Sequence, residues 1–278
     1  QKLCGGFADK KWAKKMRQDG GAEFISASLG AGTEVIMSAY YIASCVFTAK
    51  FPSLSARIWD YIETRWQMPI VRCCVPRYRI KDFEEQMPEG SLRERWSALP
   101  DCAPFTAGDT TYSLCHNCIN IVDEIHAGTE NRSLWELILQ DEAFPYPSAY
   151  QGREVTVQDC WRSRHRSPEQ TAVRKILTQK LGMSVHELPI SHETTQFCGI
   201  SLLRPQPPRN PKIAPNFYTR DIADKFHPHT AEEQQQKMID YAAQFTTDTA
   251  VCYCHYCYEG LSLTQLNVHH LAQLLLAR

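Results

Sequence analysis

Short apolar runs alternate along this chain with longer amphipathic stretches, and the two kinds of segment keep different periods. Five runs rich in β-branched and aromatic residues predict strands: EVIMSAYY (34–41), MPIVRCC (68–74), EVTVQDC (154–160), MSVHELPI (183–190) and DTAVCYC (248–254). Elsewhere apolar residues return every three or four positions, which predicts helices. Ala56, Ile58, Trp59, Ile62 and Trp66 do so in the first half, and Val173, Ile176, Leu177 and Leu181 in the second. Ser167 and Pro168 supply the second of these with a cap and a first-turn proline, and Gly182 with a stop. SLWELILQ (133–140) and VHHLAQLLL (268–276) also read as helices. Alternation of this kind predicts an α/β fold: two tandem similar α/β units with mostly parallel sheets, strand ends and helix starts gathering on one edge. The boundary falls near FPYPSAYQGRE (144–154), giving an N-terminal extension over 1–35, a first domain over 36–150 and a second over 151–278. LLRPQPPRNPKIAPN (202–216) is too rich in proline for regular structure and reads as an excursion loop of the second domain.

Charge removes some functions from consideration. Thirty Lys and Arg against 31 Asp and Glu leave no basic field to draw nucleic acid or anionic lipid. No apolar run approaches the roughly 18 to 20 residues needed to cross a bilayer, and the first residues lack an apolar leader, so the expected location is cytoplasmic.

Cysteine is the outlier. There are twelve in 278 residues, and they cluster. A disulfide framework suits small exported domains, whereas thiolate ligation of a metal suits this chain. Cys115/Cys118 and Cys254/Cys257 form C-x-x-C pairs, in which a tight turn aims both sulfurs at one ion. The alternative is a set of buried thiols packed as small hydrophobes. The halves also repeat one order. Cys45 is followed by a helix, a strand, Cys73 and Cys74, a long gap and CHNC; Cys160 is followed by a helix, a strand, Cys198, a longer gap and CHYC.

This twice-repeated order resembles the cysteine-rich CCG-domain family, typified by the disulfide-splitting subunit of heterodisulfide reductase, with relatives among the iron-sulfur subunits of glycolate oxidase and lactate-utilisation complexes. The resemblance covers about residues 36–278. It implies an iron-sulfur oxidoreductase subunit that carries a noncubane [4Fe-4S] cluster, acts on a small thiol or disulfide, and takes electrons from an iron-sulfur or flavin partner. By resemblance Cys45, Cys73, Cys74, Cys115 and Cys118 hold that cluster. Adjacent cysteines can face different irons of a multi-iron cluster, and five thiolates are one more than zinc normally takes. The second half departs from the pattern: Phe197 stands where the family has the first cysteine of Cys-Cys-Gly. Cys160, Cys198, Cys254 and Cys257 remain, a set that suits zinc or a conventional cluster, with Cys252 a candidate substitute from the same strand face. Val75 and Pro76 replace the glycine of the first copy. The rival class is a non-catalytic zinc or single-cluster scaffold or electron-transfer module, and a metal-free thiol-disulfide exchanger is a third reading.

His116 and His255 occupy the same place in the two C-x-x-C motifs, either as proton donors to a leaving thiol or as helix-start residues shared by descent. His192, ahead of Cys198, reads as a ligand, a relay or a loop residue; His269 and His270 read as partly buried helix residues. Asp123, Glu124 and His126 have no fixed geometry, Cys4 and Cys102 lack motif partners, and the basic run 9–21 reads as a solvated helix face or a surface for an acidic partner. The chain carries no P-loop and no G-x-G-x-x-G, so a nucleotide or flavin is expected on another subunit.

Overall fold

The structure, a computed structural model, describes residues 38–102, 105–204 and 214–277. Cys4, the 9–21 run, the 1–35 extension and positions 205–213 of the proline-rich loop lie outside the described residues. By its contacts the chain divides into two compact units. The first holds the described residues through Ser113 together with His126–Asn131, and the second holds Leu114–Ile125 together with Arg132–Ala277.

In chain order the elements are β1 (Ala39–Ala43), α1 (Cys45–Lys50), α2 (Pro52–Tyr61), β2 (Ile70–Arg72), α3 (Ile80–Gln86), α4 (Ser91–Ala98), β3 (Thr110–Ser113), α5 (His116–Ile125), β4 (Glu130–Ser133) and α6 (Leu134–Gln140). Then follow β5 (Glu154–Gln158), α7 (Ser167–Lys175), β6 (Ser184–Glu187), α8 (Ala231–Ala242), β7 (Thr249–Cys252), α9 (His255–Leu261), β8 (Asn267–His270) and α10 (Leu271–Leu276). The strands form two four-stranded parallel sheets of order β2-β1-β3-β4 and β6-β5-β7-β8, so the repeat in the cysteines is also a repeat in topology. The α/β architecture of two similar units is as the pattern predicts. Parallel strands are covered on both faces, which is why Val155 to Gln158 of β5 are all buried although Thr156 and Gln158 are polar.

Register carries the cysteines to one edge. Gln158 pairs with Cys252, so Cys160 and Cys254, each two residues past a strand end, leave the sheet side by side. Ala43 pairs with Arg72 in the first sheet, and Cys45 and Cys74 likewise lie two residues beyond.

Local chemistry differs from the sequence reading at three places. Arg166, not Ser167, is the cap residue of α7, and Ser167 and Pro168 form its first turn; Gly182 does end the segment, at φ +65°. VHHLAQLLL opens as strand β8, and His270 is the cap of the short helix after it. The two polar strands β4 and β8 have no alternation to betray them, yet each ends in a capping box. Ser133 pairs with Glu136, and His270 with Gln273, at equivalent positions of the two halves.

Candidate metal centre

In the second unit Cys160, Cys198, Cys254 and Cys257 come together. All four are buried and their sulfurs lie within 4.8 Å of one another. Cys160 follows β5 and caps a 3-10 turn, Trp161–Ser163, accepting a hydrogen bond from the Arg162 amide at 3.4 Å. Cys254 is the cap residue of α9 and Cys257 sits in its first turn. Cys198 opens a second 3-10 turn, Gly199–Leu202. That turn lies on α9 backbone to backbone. Gly199 has φ +54°, and a Cβ there would meet the Tyr256 carbonyl oxygen at 1.9 Å; a Cβ on Gly260 would come within 2.6 Å of the Gly199 Cα. Only glycine permits this approach, and the approach brings Cys198 to the C-x-x-C turn.

The donor set fits one ion. With metal–sulfur bonds of about 2.3 Å, tetrahedral geometry puts the sulfurs about 3.8 Å apart. The Cys160–Cys198 separation is 3.4 Å and every other pair is within 4.8 Å. A multi-iron cluster spreads its thiolates over separate irons and needs a wider frame.

Charge in the site is balanced from outside. The buried Arg162 guanidinium donates through Nε to the Cys198 sulfur at 3.2 Å and through Nη1 to Asn117 at 3.0 Å, and Ser201 Oγ donates to the same sulfur at 3.1 Å. Burial opposes ionisation of Cys198, but hydrogen bonding from Cys160 and the charge of Arg162 bring its pKa below the ordinary thiol value. Against the same burial, hydrogen bonds from the other three thiols and His116 hold Cys254 well below that range. Cys160 and Cys257 are pushed up, by burial first. The thiols thus bias one another in opposite directions, and binding of a divalent ion would displace the protons they hold.

His116 Nε2 lies 3.1 Å from Glu169 Oε1, and both side chains are buried. Burial disfavours its charge, but Glu169 and Cys254 outweigh burial and raise its pKa well above the ordinary value. His116 thus belongs in sequence to the first C-x-x-C and in space to the second thiol group. His255 is buried and packs on the Tyr256 ring at 4.2 Å. Phe197, in place of the missing cysteine, stacks on Tyr241 at 4.0 Å. Cys252 is not in the four-sulfur group; burial pushes its thiol up.

In the first unit Cys45 starts α1, and Cys73 and Cys74 follow β2. Cys73 adopts φ +59°, a costly conformation for a side-chain-bearing residue, and its amide donates to Ala43 O at 3.2 Å. Its thiol is pushed far up by a hydrogen bond with Cys45, by burial, and by the charges of Cys74 and Cys102. Cys102 is therefore a neighbour of this set, although sequence gives it no motif; burial and then Cys74 push its thiol up to about 12. Cys115 and Cys118 are buried on either side of the start of α5, in the second unit.

Arg162, Glu169 and Asp159 are residues around the thiol group that motif reading passes over. Arg162 and Asp159 flank Cys160, and Glu169 follows Pro168 on the first turn of α7. Asp159, Glu187 and His192 also come within 4.8 Å of one another, but Arg174 bridges both carboxylates, binding Asp159 at 2.7 Å through each of two nitrogens. Tyr253 OH and the His192 amide, each at 2.7 Å, complete the Asp159 shell. This second group is an ion-pair network. His192, at φ +55°, serves it with its backbone amide. Among the described residues no helix is long and apolar enough to cross a membrane. Compared with protein-family models and with curated proteins, the chain matches none.

Proposed function

We propose that this chain is a metal-thiolate redox subunit, built on the plan of the CCG-domain proteins of heterodisulfide reductase, whose two thiol sets have diverged. The observation that carries the reading is the group of four buried sulfurs within 4.8 Å at a strand-to-helix edge. In this reading Cys160, Cys198, Cys254 and Cys257 hold one closed ion, zinc, with Arg162 supplying the counter-charge. Cys45, Cys73, Cys74, Cys115 and Cys118 would hold a noncubane [4Fe-4S] cluster, through which two electrons from a partner would reduce a small disulfide, its S–S bond breaking and two protons being taken up to give two thiols. Support for that second assignment comes from the adjacent Cys73 and Cys74, the strained backbone at Cys73 and the shared edge of Cys45 and Cys74. Electrons come from an iron-sulfur or flavin partner, and the working compartment is the cytoplasm.

A non-catalytic zinc scaffold is the second reading, favoured by the complete burial of the four-thiol group, since structural sites are closed whereas catalytic ones keep an open position. Metal and acid-labile sulfide analysis of anaerobically purified protein separates the two. The redox reading expects about four irons with four sulfides and one zinc per chain. Zinc without sulfide leaves the scaffold, and thiol-disulfide exchange that survives complete metal removal leaves the exchanger.

A further inference from the structure

Beside the thiol group the second unit carries a cleft of about 420 Å³, within the range of sites that enclose small molecules. Its lining is polar and mixed in sign, but the charges are not equally engaged. Of the three carboxylates, Asp123 is ion-paired with Arg166. Glu124 accepts from the backbone amides of Asn216 and Phe217 at 2.7 and 3.0 Å. Asp221 accepts from Arg220 Nε at 2.8 Å.

Three arginines line the cleft against the three carboxylates, but among the described residues only one of them, Arg166, is hydrogen-bonded to a carboxylate. Among the described residues Arg162, which also lines the cleft, hydrogen-bonds to no carboxylate but to the Cys198 sulfur and to neutral oxygens. Arg164 stands in the same position. It stacks on the Trp161 ring at 4.2 Å and donates to the Trp161 carbonyl at 3.0 Å, and among the described residues no carboxylate lies within hydrogen-bonding distance of it. Its partial burial makes the charge costly, enough to lower its pKa despite Asp221 and Cys160. A half-buried guanidinium whose fork of donors meets no carboxylate at hydrogen-bonding distance is the complement of a carboxylate or phosphate. One wall is apolar: Phe217 stacks with Trp161 at 6.4 Å and lies under the Arg162 guanidinium at 5.7 Å.

We propose that this cleft is a binding site for a small organic acid, whose carboxylate or phosphate oxygens are taken by Arg164 and whose body lies against Phe217. The occupant would stand one guanidinium away from Cys198. The site does not depend on what the thiols hold, so it and the redox reading fail separately.

The test is calorimetric titration of the whole metal-loaded chain at low ionic strength with citrate and, separately, with inorganic phosphate; metal content is measured on the same samples. Saturable binding of citrate alone identifies a carboxylate site, of phosphate alone a phosphate site, and of both an unselective oxyanion site. Arg164→Gln is expected to weaken binding by about ten- to a hundredfold, and Arg164→Lys to recover part of that loss. Asn216→Asp, an exposed change on the lining that adds negative charge, should also weaken binding and covers the case in which Arg164→Gln fails to fold. Absence of binding for both anions, or wild-type binding in folded Arg164→Gln or in Asn216→Asp, overturns the proposal.

Discussion

Replacing Gly199 by alanine tests the geometry of the four-thiol site without touching a sulfur. The added Cβ would fall 1.9 Å from the Tyr256 carbonyl oxygen and 2.7 Å from its carbon, both backbone atoms that no rotamer change can move. The backbone angle of φ +54° costs a further 1 to 2 kcal/mol, roughly, once a Cβ is present. Relief of the overlap adds about 1 to 3 kcal/mol, so the total is about 2 to 5 kcal/mol. The chain escapes by lifting the 199–202 turn off α9, and Cys198 travels with it. Each 1.4 kcal/mol of that cost, roughly, that falls on the metal-bound state lowers zinc affinity tenfold, so a loss of about ten- to a thousandfold is expected. Competition with a chromophoric chelator reads the affinity, and urea denaturation at fixed free zinc reads the stability. Gly260→Ala attacks the same contact from the other side, with its Cβ 2.6 Å from the Gly199 Cα and 3.0 Å from the Ile200 nitrogen. Because both changes relieve themselves by one movement, the double variant should lose clearly less than the sum. Wild-type zinc affinity and stability in Gly199→Ala would refute the claim that this backbone approach positions Cys198.

Stability should also fall with acid through His270. Burial holds its pKa down to about 3, while in the unfolded chain it is about 6.5. The folded pKa is the lower one, so the contribution is complete above pH 6.5 and is lost by about 1.4 kcal/mol per pH unit below it. Urea unfolding at pH 7, 6 and 5 should show this slope, and His270→Asn, which keeps a capping side chain, should flatten it. Arg174→Met leaves the buried Asp159 carboxylate without its counter-ion, at a cost of about 3 to 5 kcal/mol measured by denaturation at pH 7. Arg174 and Tyr253 keep the Asp159 pKa low against the effect of burial, so this difference should shrink as pH falls through the Asp159 pKa. Phe197→Cys removes a ring stacked on Tyr241 and should lower the melting temperature; a rise in bound iron in the same variant would mark the second site as a degraded cluster site.

Much of this arrangement is legible in the sequence because cysteine spacing and hydrophobic period are local signals. The five strand segments and the paired α/β units follow from β-branched runs and periodicity. The group of Cys160, Cys198, Cys254 and Cys257 follows from a repeat read against a familiar pattern. Strands β4 and β8 were hidden because they are short and polar, with no alternation of buried and exposed positions. Arg162 and Glu169 were hidden for another reason. A buried charge reads in sequence as a surface charge, and only the fold shows that one faces sulfur and the other a histidine 53 positions earlier. The same holds for Cys102, whose neighbours come from β2 and the turn after it. The glycine pair is half legible: Gly199 belongs to the Phe-Cys-Gly motif, whereas nothing in the sequence marks Gly260 as its partner.

An ion in the four-thiol group would act as a reversible cross-link. Cys160 and Cys198 are 38 residues apart, and tying a loop of that length removes about 4 kcal/mol of disorder from the unfolded chain, as a disulfide would. The remaining two sulfurs arrive with β7, which pairs directly with β5 although β6 and α8 intervene in the chain. Coordination by all four sulfurs therefore requires the longest-range strand pairing of this sheet. Loss of the ion should accordingly loosen the β5–β7 junction before the rest of the sheet, and hydrogen exchange would find its fastest amides there.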